Sequence, residues 1–135
     1  TLTASVLAMT LMRLDAQESN ATTWTGVYSA AQAAKGEALY NQKCSNCHGS
    51  GAGGGDSPSL TDSGFAANWD GLSVQPLFER IRVSMPEDAP GTLTREETAA
   101  IVAYLFKQNR FPAGTTDLSD RAEMLGMVKY VATKP

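Results

Sequence analysis

Every thiol and the only imidazole of the chain fall within one pentapeptide, Cys44-Ser45-Asn46-Cys47-His48. With 2 cysteines and 1 histidine in 135 residues, several architectures are closed from the start. No disulfide framework can staple distant segments, no structural zinc site can be assembled from scattered Cys and His donors, and no Ser-His-Asp triad can take its base from elsewhere. The length makes one domain the starting expectation. Hydrophobic residues reach 42% and charged residues only 19%, so the composition is not that of a disordered chain. Alanine supplies much of that apolar share, however, and a core built from side chains alone would be thin. The net charge is −3, and the lysines and arginines are scattered rather than gathered on one face, which argues against a nucleic-acid partner.

The elements flanking the pentapeptide read as helices. Ser29 and Gln32 have the spacing of a capping box, opening a helix from Ala30 to about Lys43 with Ala33, Gly36 and Tyr40 on one face. A glycine inside a helix costs about 1 kcal/mol relative to alanine, so Gly36 implies close approach of another helix. Residues 49–55 are a glycine-dense loop. Its formal G-x-G-x-x-G match at Gly49, Gly51 and Gly54 is spurious, because a helix precedes it and Asp56-Ser57-Pro58 follows. Ser73 opens a second helix with Val74, Leu77, Phe78 and Ile81 on one face, ending before Pro86. Thr94 and Glu97 form a capping box for a third, running to about Asn109 with Ile101, Tyr104 and Leu105 in its stripe and Pro112 beyond it. A short helix is expected around 121–127, and residues 128–133 resemble a strand without a partner. The expected fold class is all-α.

Cys-x-x-Cys-His is the attachment signature of a covalent haem. Two thiols three positions apart can add to the two vinyl groups, and the next residue places an imidazole under the iron. A thioredoxin-like redox pair would need a βαβ setting, and a zinc ion would find only three donors here. A haem also remedies the thin core, since its apolar faces give three to four short helices something to pack around. The sixth ligand cannot be a second histidine. Of Met9, Met12, Met85, Met124 and Met127, the first pair lies in an apolar N-terminal run and the last pair has helical packing spacing. Met85, followed by Pro86 in an irregular stretch between two helices, is the expected ligand.

In order, Gly36 and Tyr40 on a helix, Cys44-Ser45-Asn46-Cys47-His48, Pro58 and Leu60, Trp69, Met85-Pro86 and a helix with Tyr104 resemble a class I mono-haem cytochrome c over residues 28–112. The stretch Ser84-Met85-Pro86-Glu87-Asp88-Ala89-Pro90-Gly91 is similar, more narrowly, to modules paired with or fused to quinoprotein dehydrogenases. The resemblance implies one haem c, bound by Cys44, Cys47, His48, Pro58, Leu60, Trp69, Arg80, Met85 and Tyr104, with His48 and Met85 on the metal. Pro58 would offer its carbonyl to the His48 Nδ1 proton, the alternative being a loop proline. Leu60 would pack on the haem. Trp69 would donate to a propionate, or be a core aromatic. Arg80 and Arg82 would pair with propionates, or be solvated helix charges. Gly36 and Tyr40 would meet Tyr104 where the first and last helices cross. Unlike family members with a lysine ring, this acidic chain gives no reason to expect a strongly acidic docking partner.

His/Met ligation fills both axial positions and raises the reduction potential. The expected function is therefore one-electron transfer, not catalysis, between a donor and an acceptor such as a dehydrogenase, a quinol-oxidising complex, an oxidase or a reaction centre. A peroxidase-like enzyme or gas sensor with a displaceable Met85 is the alternative class, and an accessory haem subunit of a larger redox complex is another. Residues 1–16 carry an uncharged apolar run, Leu2 to Met12, too short for the ~20 helical residues that span a bilayer. It reads as a signal-like segment cleaved after Ala16, or as a helix anchoring the protein to a membrane or a partner. Both readings place the domain in the periplasm or otherwise outside the cytoplasm. Residues 17–27 are expected to be a linker, 28–112 the haem domain, and 113–135 a C-terminal extension.

Overall fold

The computed structural model describes residues 20–135, in which α1 (Ala30–Lys43) leads directly into a single turn, α2 (Ser45–His48). A short 3-10 turn (Ser50–Ala52) follows, then α3 (Ser63–Trp69), α4 (Val74–Ser84), α5 (Arg95–Gln108) and α6 (Ala122–Leu125). The fold is all-α: among the described residues there is no strand, only isolated bridges. The apolar segment 1–16 and the anchoring expected of it lie outside the described residues. No described helix is long and apolar enough to cross a membrane.

Helix α5 starts as its sequence dictates. The Thr94 hydroxyl accepts the Glu97 N–H at 3.1 Å, and the Glu97 carboxylate accepts the Thr94 N–H at 2.9 Å, so two orphan donors are satisfied reciprocally. The box expected at α1 is only half present. Ser29 accepts the Gln32 N–H, but the Gln32 side chain turns inward instead, donating to the Leu118 carbonyl at 2.9 Å and accepting its N–H at 2.7 Å. A buried amide that finds both partners on one residue is worth more there than at an exposed cap. Helix α3 was not expected from the sequence. Its signal is Asp62, whose carboxylate accepts the Phe65 N–H at 2.8 Å.

Helices α1 and α5 make the most intimate packing in the molecule. A Cβ at Gly36 would lie 2.5 Å from the Ala100 carbonyl carbon and 3.0 Å from the Tyr104 Cβ, so the two backbones touch where only hydrogen fits. Beside this crossing the Tyr40 and Tyr104 rings pack at 5.1 Å, tilted by 48°. A second cluster, with Phe65, Phe78, Phe106, Phe111 and Tyr130 among its members, fills the space between α3, α4, α5 and the C-terminal segment.

The boundaries expected at 27/28 and 112/113 are not structural seams. Thr23, placed in the expected linker, is fully buried, donates to the Val131 carbonyl at 2.9 Å and accepts the Val131 N–H at 3.0 Å. The Trp24 indole donates to the same carbonyl at 2.8 Å and meets Phe111 edge-on at 5.0 Å. The segment 128–133, expected to resemble a strand without a partner, has partners on both sides at its start. Thr23 donates its N–H to the Lys129 carbonyl and Val74 to that of Val128, while Tyr130 donates to Leu72. One bridge on each side is too little for a ladder, but it ties residues 22–23 and 128–130 to the start of α4.

Tyr130 is buried among these aromatics, and its hydroxyl has no hydrogen-bond partner among the described residues. Burial, with some help from Asp70, pushes its pKa up to about 12. An unpaired buried hydroxyl costs about 1–3 kcal/mol in desolvation. Tyr130→Phe is therefore expected to stabilise the protein by about 1 kcal/mol, read as a higher denaturant midpoint at unchanged slope. A lowered midpoint would show that the hydroxyl is paired in solution.

Candidate functional site

Cys44 closes α1 and caps the next turn. Its N–H donates to the Tyr40 carbonyl at 2.8 Å, and its own carbonyl accepts from Cys47 and His48 at 3.2 and 3.0 Å. The pentapeptide is thus one helical turn, which sets the two thiols at i and i+3 on neighbouring positions of its surface. A turn so short leaves its carbonyls without helical partners. The glycine loop supplies them: Gly54 donates to the His48 carbonyl at 2.7 Å, and Ser57 donates to that of Cys47 at 2.9 Å. Gly49, with φ of +83°, makes the reversal possible, and a Cβ there would lie 2.8 Å from the Gly54 carbonyl carbon. The Tyr40 hydroxyl donates to the Gly49 carbonyl at 2.8 Å and holds the reversal against α1.

The loop then brings Pro58 beneath the imidazole. His48 Nδ1 lies 2.8 Å from the Pro58 carbonyl. A carbonyl only accepts, so the ring proton sits on Nδ1 and the Nε2 lone pair is free. No disulfide joins Cys44 to Cys47. Burial pushes the Cys44 thiol up to about 11, against the pull of neighbouring Lys43, with Cys47 adding to the rise. Among the described residues, no three His, Cys, Asp or Glu side chains converge on a point that could hold a metal ion.

A cavity of about 1010 Å³ opens beside this turn. Cys44, Cys47 and His48 line it from the attachment turn, Pro58 and Leu60 from the loop, and Phe65 and Trp69 from α3. Leu77, Arg80 and Ile81 of α4, Met85 just beyond it, and Ile101 and Leu105 of α5 complete the wall. Eight of the nine residues expected to bind the cofactor therefore share one cavity. Tyr104 does not. It belongs to the helix crossing with Tyr40, where its ring packs in the core instead of facing the lining. Arg82 also points elsewhere: it pairs with Glu79 at 3.0 Å, and Glu79 pairs with Arg95 at 2.9 Å across to α5. The sequence reading missed Phe65 and Leu77 as lining residues, because a buried apolar face reads the same whether it covers a core or a cofactor.

Two thiols one turn apart, an imidazole with a free Nε2, a thioether from a separate wall and apolar side chains between them fit a covalently attached haem. An all-α chain built around such a berth has the architecture of a c-type cytochrome. Comparison with known proteins agrees. Residues 31–105 match the family described as cytochrome C oxidase, cbb3-type, subunit III. Cytochrome c-551 of Bacillus subtilis (strain 168) is 33% identical over 104 residues, covering 77% of this chain and 87% of that protein. No solved structure matches the chain. The chain belongs to the class I mono-haem cytochromes c, and its cofactor is a covalently bound haem c.

Proposed function

We propose that this chain is an extracytoplasmic one-electron carrier whose haem is tethered by Cys44 and Cys47 and ligated by His48 and Met85. When bound, the haem supplies a one-electron iron couple, whose potential is raised by a thioether ligand. The observation that carries the reading is the 2.8 Å bond from His48 Nδ1 to the Pro58 carbonyl, which fixes the ring and its tautomer and leaves Nε2 as donor. Leu60, Ile101 and Leu105 exclude water from the faces of the group. Trp69 and Arg80, both on the lining, supply N–H donors for the propionates; Arg80 forms no salt bridge among the described residues.

Electrons pass between a redox-protein donor and acceptor. The resemblance of Ser84–Gly91 supports a quinoprotein dehydrogenase on the donor side, and the family match supports an oxidase on the acceptor side. A catalytic haem would want an acid-base group over an open iron position, and the single histidine is already engaged with Pro58.

Met85 carries the test. In Met85→Ala the thioether-to-iron charge-transfer band of the ferric protein should vanish, the potential should fall, and the ferrous form should bind carbon monoxide. The parent should show the band and leave its ferrous spectrum unchanged under carbon monoxide. A band that survives in Met85→Ala would remove Met85 from the iron, and rapid carbon monoxide binding by the parent would favour the gas-binding alternative.

A further inference from the structure

The Pro58 carbonyl can hold the His48 proton only if the loop carrying it is itself held. Pro58 is exposed and has no N–H to anchor it. Upstream, Ser57 is tied to the Cys47 carbonyl, and so to the pentapeptide itself. Downstream, the Leu60 N–H closes the loop onto the Ala52 carbonyl at 2.9 Å. Ser59 and Thr61 add weaker hydroxyl contacts to the same Ala52 carbonyl, and further support comes from the far end of α5. Asn109 Nδ2 donates to the Leu60 carbonyl at 3.0 Å and to the Leu105 carbonyl at 2.8 Å. Next to it, Gln108 Nε2 donates to the Gly51 carbonyl at 3.1 Å. Both partners of Asn109 are acceptors only, so its amide orientation is determined and both of its N–H protons are engaged.

We propose that Asn109 is a positioning residue for His48, assisted by Gln108: from the last turn of α5 they hold the loop on both sides of Pro58 and so set the strength of the Nδ1–H to Pro58 bond. The inference rests on the reading of His48 as the iron ligand. A stronger bond at Nδ1 makes Nε2 more basic, and a more basic ligand favours the oxidised iron. The clasp therefore tunes the potential through a residue that is not itself on the cavity lining but bonds two residues that are. Leu105 gives it a second grip, since one amide links the Leu60 loop to a lining residue of α5.

His48 is the only histidine, so ¹⁵N-histidine labelling of the holoprotein reports a single ring. Asn109→Ser keeps a hydroxyl able to reach Leu105, one turn back, but too short for Leu60; Asn109→Leu removes both bonds. In each, the ferrous Nδ1–H should exchange with solvent roughly tenfold faster, equivalent to about 1.4 kcal/mol, and the midpoint potential should rise. Gln108→Leu should move both readouts the same way by less, because Gly51 is further along the chain from Pro58. It also serves as the decisive variant should Asn109→Leu fail to retain haem. Unchanged exchange and potential in folded variants, even with a lowered denaturant midpoint, would reduce Asn109 to a structural pin and overturn the proposal. A titrating, metal-free Nε2 signal in the parent would instead overturn the ligand assignment and this inference with it.

Discussion

Gly36→Val is expected to abolish cooperative folding of the haem domain. Its first γ-carbon would stand beyond a Cβ that already lies 2.5 Å from the Ala100 carbonyl carbon and 3.0 Å from the Tyr104 Cβ. The obstruction is helix backbone, which cannot swing aside as a flexible side chain can, so α1 must lift from α5. Lifting α1 parts Tyr40 from Tyr104 and displaces Cys44, whose N–H is bonded to the Tyr40 carbonyl. The fold and the attachment turn are lost together. Gly36→Ala is the graded version. Helix propensity returns about 1 kcal/mol, while overpacking against a rigid neighbour costs about 1–3 kcal/mol or more. The alanine chain should therefore be less stable by about 1 kcal/mol, out of the 5–15 kcal/mol typical of a domain. Thermal melts followed at the haem and at far-ultraviolet wavelengths measure both variants. An alanine variant as stable as the parent would show that the crossing has slack.

Gly36 also shows what could be read in the sequence and what could not. A glycine in the middle of an otherwise strong helical pattern is a local contradiction, and a helix crossing resolves it. Cys44, Cys47 and His48 were equally legible, since the chemistry of the motif depends on adjacency in sequence. Helix ends were legible where the cap is local, as at Thr94 and Asp62, although only the first was recognised. Gln32 was misassigned because its true partner, Leu118, is 86 residues away. The same physics hid the integration of residues 22–24 with the C-terminal segment. Thr23 looks polar and linker-like beside Gln17 and Asn20, and only the distant Val131 turns it into an interior residue, whereas Trp24 is legible as a packing residue without its partner being so. Arg82 and Tyr104 lie off the cavity lining because helical phase decides direction. Residues two apart on α4 face different ways, so Arg80 reaches the cavity while Arg82 reaches Glu79.

Cys44→Ala combined with Cys47→Ala should leave a chain that neither retains haem through denaturing electrophoresis nor folds cooperatively. The first half follows from chemistry, since no other thiol exists in the chain. The second follows from the volume of the berth. Keeping even a quarter of the roughly 1010 Å³ cavity dry and empty would cost on the order of 6 kcal/mol at about 24 cal/mol per Å³. That is comparable with the whole stability of a small domain. Collapse is no easy escape. The Tyr40–Tyr104 crossing fixes α1 and α5, and the C-terminal segment fixes the start of α4, so the helices that wall the cavity cannot close on it without breaking these contacts. Flooding instead would expose the lining side chains Leu60, Ile81 and Leu105 to water, at roughly 25 cal/mol per Å² of apolar surface. The single variants discriminate further. Cys47 is exposed whereas Cys44 is partly buried, so Cys47→Ala should retain haem by one bond with little distortion, while Cys44→Ala should also loosen the junction with α1. Intact mass reports attachment, and circular dichroism with a denaturant titration reports folding. A sharp unfolding transition in the haem-free double variant would show that the helices can close over the cavity unaided.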